Sequence, residues 1–134
     1  MRARLVRPGA TTEPVCLPGS PADPRAVMYA VIGCDTVDVV RVIRPGPGGP
    51  GVDMWVSDEG PGTEDPVLNV AAAAIVAFLS RRLVRQPFAG PVIFTGRPAP
   101  EGATAPLTSY YDEIVVTIAE KLRKAATWPG RGVR

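Results

Sequence analysis

Five carboxylates within a short stretch of the chain are the first residues whose type and spacing could do chemistry. They occur with no basic residue between them: Asp53, Asp58, Glu59, Glu64 and Asp65. Oxygen ligands suit a hard cation such as Mg²⁺, and paired carboxylates can divide the roles of acid and base. One hypothesis is therefore a carboxylate-metal hydrolase around Asp58 and Glu59. A solvated acidic loop is the simpler interpretation, because adjacent carboxylates are mostly surface charge, so we predict no metal site.

The chain of 134 residues contains no histidine, and its two cysteines are Cys16 and Cys34. Without imidazole, the Ser-His-Asp and Cys-His arrangements and histidine-ligated metals are excluded. Two thiols are also too few for a zinc site built from four soft ligands. We therefore predict no catalytic residue and no cofactor, and we expect both thiols to stay reduced. The inventory favours a non-enzymatic protein and leaves an enzyme open.

Two further groups of side chains could contact a ligand. Asn69 carries an amide donor and acceptor that could recognise a nucleobase, although the same side chain commonly caps a helix. With Asp58 and Glu59 it completes the candidate ligand-binding residues. Candidates for nucleic-acid contact lie at the end of the long predicted helix, where cations also complement the helix dipole. These are Arg81, Arg82 and Arg85.

The overall charge does not decide between these functions. Lys and Arg number 15 and Asp and Glu number 13, which gives a formal net charge of +2. Such a balance neither requires nor excludes nucleic acid.

Hydrophobic periodicity predicts the elements that position these residues. Strands are expected at 2–7, 13–17, 36–44, 52–57 and 91–95. Helices are expected at about 24–32, from Asp65 or Asn69 to Val84, and from Ser109 to about Ala126, with Ser109 and Asp112 resembling a capping box. The strand at 36–44 is apolar on both faces, which indicates a central position. The run of Pro and Gly at 45–51 predicts a flexible hairpin loop.

The order β-β-α-β-β-α-β-α favours the α+β class. We expect one domain over residues 1–126, in which helices pack on one face of a largely antiparallel five-stranded sheet. Residues 127–134 are expected to form a flexible basic tail.

The long predicted helix is apolar on two sides. Its expected core stripe consists of Leu68, Ala72, Ile75, Leu79 and Leu83, with Phe78 beside it. At 100° per residue, the opposite side carries Val70, Ala73, Ala77 and Val84. A second copy of the helix would cover this side, which predicts a homo-oligomer and most simply a two-fold dimer. Alanine also tolerates exposure, and cover from elsewhere in the chain stays an alternative.

A series of short motifs follows a fixed order: an acidic-Glu-Gly turn after a strand, an asparagine with alanine three residues later, a glycine before an apolar strand, and a Leu-Thr pair before the last helix. The matching residues are Glu59, Gly60, Asn69, Ala72, Gly90, Leu107 and Thr108. This order resembles the small domain-of-unknown-function proteins of bacteriophages, plasmids and related bacterial mobile elements, over about residues 33–120. The resemblance implies a mobile-element setting and supplies no catalytic residue or cofactor. The run at 45–51, the alanine-rich helix and the basic tail depart from the family pattern.

The N-terminal residues lack the apolar run of a signal peptide, and the longest apolar run, Val70 to Leu79, is about half of what a spanning helix needs. We therefore expect a cytoplasmic protein without a membrane partner. Our first hypothesis is a non-enzymatic accessory protein of a phage or mobile element that binds a host protein or a small nucleotide-like ligand, in the service of counter-defence. The alternative is nucleic-acid binding through Arg2, Arg4, Arg7, the arginines of the helix end and the tail.

Overall fold

The computed structural model describes residues 1–19, 22–59, 65–97 and 104–127. The five strands and three helices follow in the predicted order. They are β1 (Arg2–Val6), β2 (Thr12–Cys16), α1 (Arg25–Ile32), β3 (Val37–Ile43), β4 (Gly51–Ser57), α2 (Val70–Ser80), β5 (Val92–Arg97) and α3 (Ser109–Thr127). The α+β single domain is thereby confirmed, while the predicted tail beyond Thr127 lies outside the described residues.

The strands form one sheet in the order β2-β1-β5-β4-β3. Every neighbouring pair is antiparallel, as predicted, and the last strand, β5, is inserted between β1 and β4. Pro14 lies in the edge strand β2, where its missing N–H costs no ladder bond. The expectation of a central position for β3 is wrong, because β3 forms the other edge. Its two apolar faces are explained by helices on both sides of the sheet, since α1 and α2 both contact it.

Helices cover both faces of the sheet. On one face, α2 and α3 pack over Val52, Met54 and Phe94. On the other face, Met28 and Ile32 of α1 belong to a second cluster. That cluster includes Leu5, Trp55 and Ile93, which alternate along their strands with the residues of the first face. The prediction that all helices pack on one face is therefore wrong for α1, because strands with apolar residues on both faces need cover on both.

Helix α2 is shorter than its sequence suggests, but it buries the side that the sequence predicts. It ends at Ser80, and Arg81 follows in the left-handed conformation with a φ of 57°. The buried side consists of Ala71, Ala72, Ile75 and Val76. Three members of the predicted core stripe and its flank are instead exposed: Leu68, Phe78 and Leu83. Leu68 and Leu83 lie outside the helix, whereas Ala72, Ile75 and Leu79 of the predicted stripe face the core, so periodicity selected the buried side correctly.

Helix α3 is joined to the sheet at its first turns. Thr108, rather than the predicted Ser109, provides the capping hydroxyl, which accepts from the Tyr111 N–H at 3.4 Å. Asp112 forms a bidentate ion pair with Arg4 of β1, in which Arg4 Nε and Nη2 donate to Asp112 Oδ1 and Oδ2 at 2.8 and 2.9 Å. Planar two-point pairing between guanidinium and carboxylate fixes orientation as well as distance. This pair sets the angle at which α3 crosses β1.

The Pro/Gly run forms the predicted hairpin between β3 and β4. Reciprocal backbone hydrogen bonds of 3.0 Å join Gly46 and Gly49 at its tip. Its last residue, Gly51, already belongs to β4 and lies so close to the end of β3 that a Cβ there would stand 2.0 Å from the Ile43 carbonyl oxygen. A glycine is required at this position by the close approach of two backbones.

Within the described part of the chain, no helix has both the length and the apolar character needed to cross a bilayer.

Candidate functional site

An open cleft of about 1370 Å³ lies between the end of β3 and the segment that follows α2. Val76 and Leu79 of α2 and Val42 of β3 contribute its apolar surface. The chain beyond α2 forms one wall, in which Val84 and Phe88 are half-buried against the core while Leu83 is 88% exposed. The cleft therefore combines an apolar floor with an accessible mouth.

Arginine dominates the polar lining of the cleft. Five arginines contribute to it: Arg41, Arg44, Arg82, Arg85 and Arg97. Four of them, Arg41, Arg44, Arg82 and Arg85, are exposed, and Arg97 is buried at the end of β5. Among the described residues that line the cleft, none is acidic. This concentration of positive charge contrasts with the net charge of only +2 for the whole chain.

Arg41 is oriented by the buried carboxylate of Asp53. Its Nη1 lies 2.8 Å from Asp53 Oδ2, across the antiparallel pair of β3 and β4. The side chain of Asp53 is 5% exposed, whereas that of Arg41 is 48% exposed. A charge-assisted hydrogen bond to a buried partner restricts the guanidinium while leaving much of it accessible. The pair lies on the face of β3 opposite to Val42 and the apolar floor, so Arg41 lines the cleft from the edge of the sheet.

The early end of α2 explains why Arg82 and Arg85 lie in this wall. A helix that continued to Val84 would have placed both on its last turn, where the helix dipole accounts for cations. The chain instead leaves the helix at Arg81 and runs on to Phe88, whose carbonyl oxygen accepts from the Asn69 N–H at 2.8 Å. Neither arginine therefore lies in the last turn of α2, and both line the cleft together with residues of β3.

Clustered arginines favour an anion. Guanidinium groups do not lose their charge in proteins, so their mutual repulsion cannot be relieved by deprotonation. Asp53 supplies this counter-charge to Arg41, and an anionic ligand would supply it to the exposed Arg44, Arg82 and Arg85, since phosphate and carboxylate match the planar guanidinium fork. The arrangement is suited chemically to binding a ligand that carries phosphate groups.

Comparison with known proteins gives a family for the chain. A family model described as a domain of unknown function (DUF3846) matches residues 1–121. The chain belongs to the DUF3846 family. No curated protein and no solved structure matches it. The expected membership in a domain-of-unknown-function family is confirmed.

The motif residues behind the family resemblance largely hold this DUF3846 domain together. Asn69 Oδ1 accepts from the Ala72 N–H at 2.9 Å, which caps α2. Its Nδ2 donates to the carbonyl oxygens of Val6 and Gly90 at 3.0 and 2.9 Å. Both polar atoms of this buried amide are therefore engaged within the protein, and Asn69 connects α2 to the sheet. Asn69 does not itself line the arginine-lined cleft, although its N–H donates to the carbonyl oxygen of Phe88, which does.

The acidic candidates of the DUF3846 domain lie at the opposite end of β4 from the cleft arginines. Asp58 and Glu59 are exposed in the turn after Ser57. Among the described residues, no three His, Cys, Asp or Glu side chains converge as metal ligands. Glu64, which the hydrolase hypothesis includes, lies outside those residues. The structure does not bring Asp58 and Glu59 together with Asn69 in one cavity.

A thiol lies beside this acidic turn. Cys34, after α1, is half-buried, and burial followed by the charges of Asp58 and Asp35 raises the pKa of its thiol. A hydrogen bond with Ser57 opposes this rise. Cys34 and the exposed Cys16 are both free thiols in the structure. A raised pKa keeps a thiol protonated and lowers its reactivity.

The arginines predicted to contact nucleic acid do not all lie in one place in the structure. Arg82 and Arg85 line the cleft, whereas Arg81, the C-cap of α2, is exposed beside it. Of the N-terminal arginines, Arg4 is paired with Asp112 and Arg7 with Glu13. These two ion pairs give Arg4 and Arg7 a structural role.

Of the four residues predicted for the homo-oligomer interface, three share one face of α2 and one does not. Val70, Ala73 and Ala77 lie on α2 away from its buried side, and Val70 is 65% exposed. Val84 does not share this face, because the helix ends before it and its side chain packs against the core. Val84 is therefore removed from the predicted interface.

Sequence reasoning missed three of the cleft arginines: Arg41, Arg44 and Arg97. Two of them could have been found from their positions at the ends of strands. Arg44 follows β3 and Arg97 ends β5, and antiparallel pairing through β4 places these two chain ends at the same end of the sheet. That inference needs the order of the strands, which the sequence does not reveal.

Proposed function

We propose that this DUF3846 domain is a non-enzymatic binding protein that holds a nucleotide-like, phosphate-bearing ligand in the arginine-lined cleft. The observation that carries the proposal is that three exposed arginines, Arg44, Arg82 and Arg85, line one open cavity with an apolar floor. Phosphate is the common biological anion that pairs with several guanidinium groups at once. The apolar floor offers a surface for a base or another flat group, since ligand sites are mostly apolar with a few placed polar groups.

The composition of the cleft supports binding rather than catalysis. The chain has no histidine, and the described lining residues include no carboxylate and no thiol. A general base or nucleophile would have to come from such groups in most enzymes. Binding requires only the arginines and the apolar floor.

The proposed biological setting is the cytoplasm of a cell that carries a phage or mobile element. Its support is the family resemblance of the motif residues, together with two free thiols, which suit a reducing compartment. A protein that sequesters a nucleotide without converting it would serve counter-defence by withdrawing a host signal. This role depends on the ligand and is tested with it.

The experiment is a thermal-shift and titration series with nucleoside triphosphates and cyclic nucleotides. A ligand at roughly 100 times its Kd adds about 2.7 kcal/mol to the free energy of unfolding. The double variant Arg82→Ala/Arg85→Ala should lose affinity by about 100-fold or more, since each of the two charge-assisted hydrogen bonds removed contributes about 1.5–3 kcal/mol. Both residues are exposed, so the fold should persist.

The matched control is Arg2→Ala/Arg25→Ala. It removes the same number of exposed positive charges outside the cleft. The control should bind like the wild type. Equal losses in the two double variants would mean that net charge alone drives binding, and no binding of any phosphate-bearing compound would reject the proposal.

A further inference from the structure

A second cavity, of about 410 Å³, lies next to the arginine-lined cleft. It is formed by the hairpin tip between β3 and β4 and by the start of α3. Its lining consists of Arg44, Gly46, Gly48, Gly49, Pro50, Thr108, Tyr110 and Tyr111. Arg44 lines both cavities, so they adjoin each other at this residue. A ligand that leaves the arginine-lined cleft past Arg44 arrives at the two tyrosines.

The two tyrosines form an aromatic platform. Their ring centroids are 5.2 Å apart and the ring planes meet at 70°. Tyr111 is half-buried and packs against the core, whereas Tyr110 is 69% exposed. An anchored ring that supports an exposed neighbour leaves an aromatic surface open to a flat partner.

The opposite wall of this cavity consists largely of backbone. A Cβ added at Gly46, Gly48 or Gly49 would meet nothing within 4 Å, so the space above these residues is open. Glycine allows a ligand to approach the main chain closely. A planar group therefore has room between the hairpin tip and the tyrosine pair.

From these two cavities we infer that the ligand is single-stranded nucleic acid, with its phosphates along the arginines and an unpaired base on Tyr110. This inference rests on the proposed function and specifies its ligand. Single-strand binding combines a positively charged groove with aromatic platforms. The cleft of about 1370 Å³ exceeds the range of roughly 300–1,000 Å³ that is usual for small-molecule sites. An extended strand uses both cavities, whereas a single nucleotide occupies one.

The pairing state of the nucleic acid follows from the tyrosines. Stacking on an aromatic side chain requires a base face that is not covered by its neighbours in a duplex. A double helix could present only phosphates to the arginines and would leave Tyr110 unused. Single strands should therefore bind more tightly than duplexes of the same length.

The test measures fluorescence anisotropy with labelled oligothymidine of about ten nucleotides, a length typical of such sites. The comparison ligands are an abasic strand of equal length and the corresponding duplex. Tyr110→Ala should weaken oligothymidine binding about tenfold and leave abasic-strand binding unchanged, because only stacking is lost. Phe78→Ala is the matched control: it removes an aromatic ring that is 63% exposed and lies outside both cavities. It should leave both affinities unchanged.

Arg44 provides an independent readout. Arg44→Ala should weaken the oligothymidine and the abasic strand alike and should reduce the slope of log K against log salt by about 0.7, the contribution of one phosphate contact. An unchanged slope would show that Arg44 does not contact the strand and would contradict the path between the cavities.

The outcomes separate this inference from the proposed function. Nucleotide binding that depends on Arg82 and Arg85, with equal affinity for the oligothymidine and the abasic strand, would overturn the inference and leave the proposed function intact. Equal affinity for single strand and duplex would overturn the inference as well. Absence of binding to nucleotides and oligonucleotides together would reject both.

Discussion

At the scale of single residues, Cys34 shows how two neighbouring elements set the chemistry of a side chain. Its thiol lies between the end of α1 and the turn after β4, where it is partly removed from water and faces Asp58 and Asp35. Burial disfavours the charged thiolate, and negative charges disfavour it further. Both causes raise the pKa of the Cys34 thiol, so the protonated form persists to higher pH than for an ordinary cysteine.

We predict that iodoacetamide alkylates Cys34 several-fold more slowly than the exposed Cys16 at pH 8. The thiolate is the reactive species, and a raised pKa leaves less of it at a given pH. The alkylation rate of Cys34 should therefore rise with pH until its raised pKa is passed. Mass spectrometry of peptides from timed reactions measures both rates in the folded protein.

Neutralising a neighbouring carboxylate tests the physical cause. Asp58→Asn removes a negative charge, which lowers the pKa of the Cys34 thiol and should accelerate its alkylation. Asp38→Asn is the control, because Asp38 is exposed on β3 and does not act on Cys34. If the two variants reacted at the same rate, the carboxylate of Asp58 would have no part in the slow reaction.

At the scale of elements, the hairpin between β3 and β4 is fixed by backbone contacts rather than by side chains. Gly46 and Gly49 close its tip, and Gly51 passes close to Ile43, Arg44 and Pro45 at its base. Loop length changes the free energy of unfolding only slowly. Shortening the tip should therefore leave the fold intact only if a glycine is kept at position 51.

We predict that Gly51→Ala lowers the free energy of unfolding by about 1–3 kcal/mol, the usual cost of overpacking. The added Cβ would lie 2.0 Å from the Ile43 carbonyl oxygen and 2.8 Å from Pro45 N, and both are backbone atoms. Thermal unfolding followed by circular dichroism should show a lower Tm. Gly48→Ala, where a Cβ meets nothing within 4 Å, should leave the Tm almost unchanged. Equal Tm values for the two variants would contradict this account of the hairpin.

At the scale of the whole molecule, the outer side of α2 is an apolar surface that the described residues leave exposed. Val70 and Phe78 are 65% and 63% exposed, and Ala73 and Ala77 lie on the same outer side as Val70. A helix side without charges is unusual next to water. Small residues allow two helices to approach closely, and a two-fold dimer buries the same patch on both copies.

We predict that the protein forms a dimer through Val70, Ala73 and Ala77. Light scattering at tens of micromolar should give twice the monomer mass of 14.1 kDa. Ala77→Glu should return the mass to that of the monomer without loss of helical signal, because it buries a charge only in the dimer. Ala26→Glu on the exposed side of α1 serves as the control and should stay dimeric. A monomer mass for the wild type would refute the prediction.

The sequence by itself determined the elements and their order. The alternation of apolar and polar residues, helix-capping side chains and turns at Pro and Gly all act over a few residues. The strand β1, the hairpin and the α+β class could therefore be derived from local rules. The absence of histidine likewise followed from composition alone. Membership in a domain-of-unknown-function family was visible in the order of short motifs.

The tertiary structure decided what depends on contacts between distant residues. The position of β3 at an edge, the cover of α1 on the second face and the end of α2 at Ser80 each follow from packing that no local pattern encodes. The arginine-lined cleft also depends on contacts between residues that are distant in the chain. Arg41 and Arg85 are 44 positions apart in the chain, yet both line the same cavity. This arrangement requires that β3 pairs with β4 and that the segment beyond α2 folds back toward Asn69. Because a strand can pair on either edge and a sheet that is apolar on both faces can take helices on either, long-range contacts select among these arrangements.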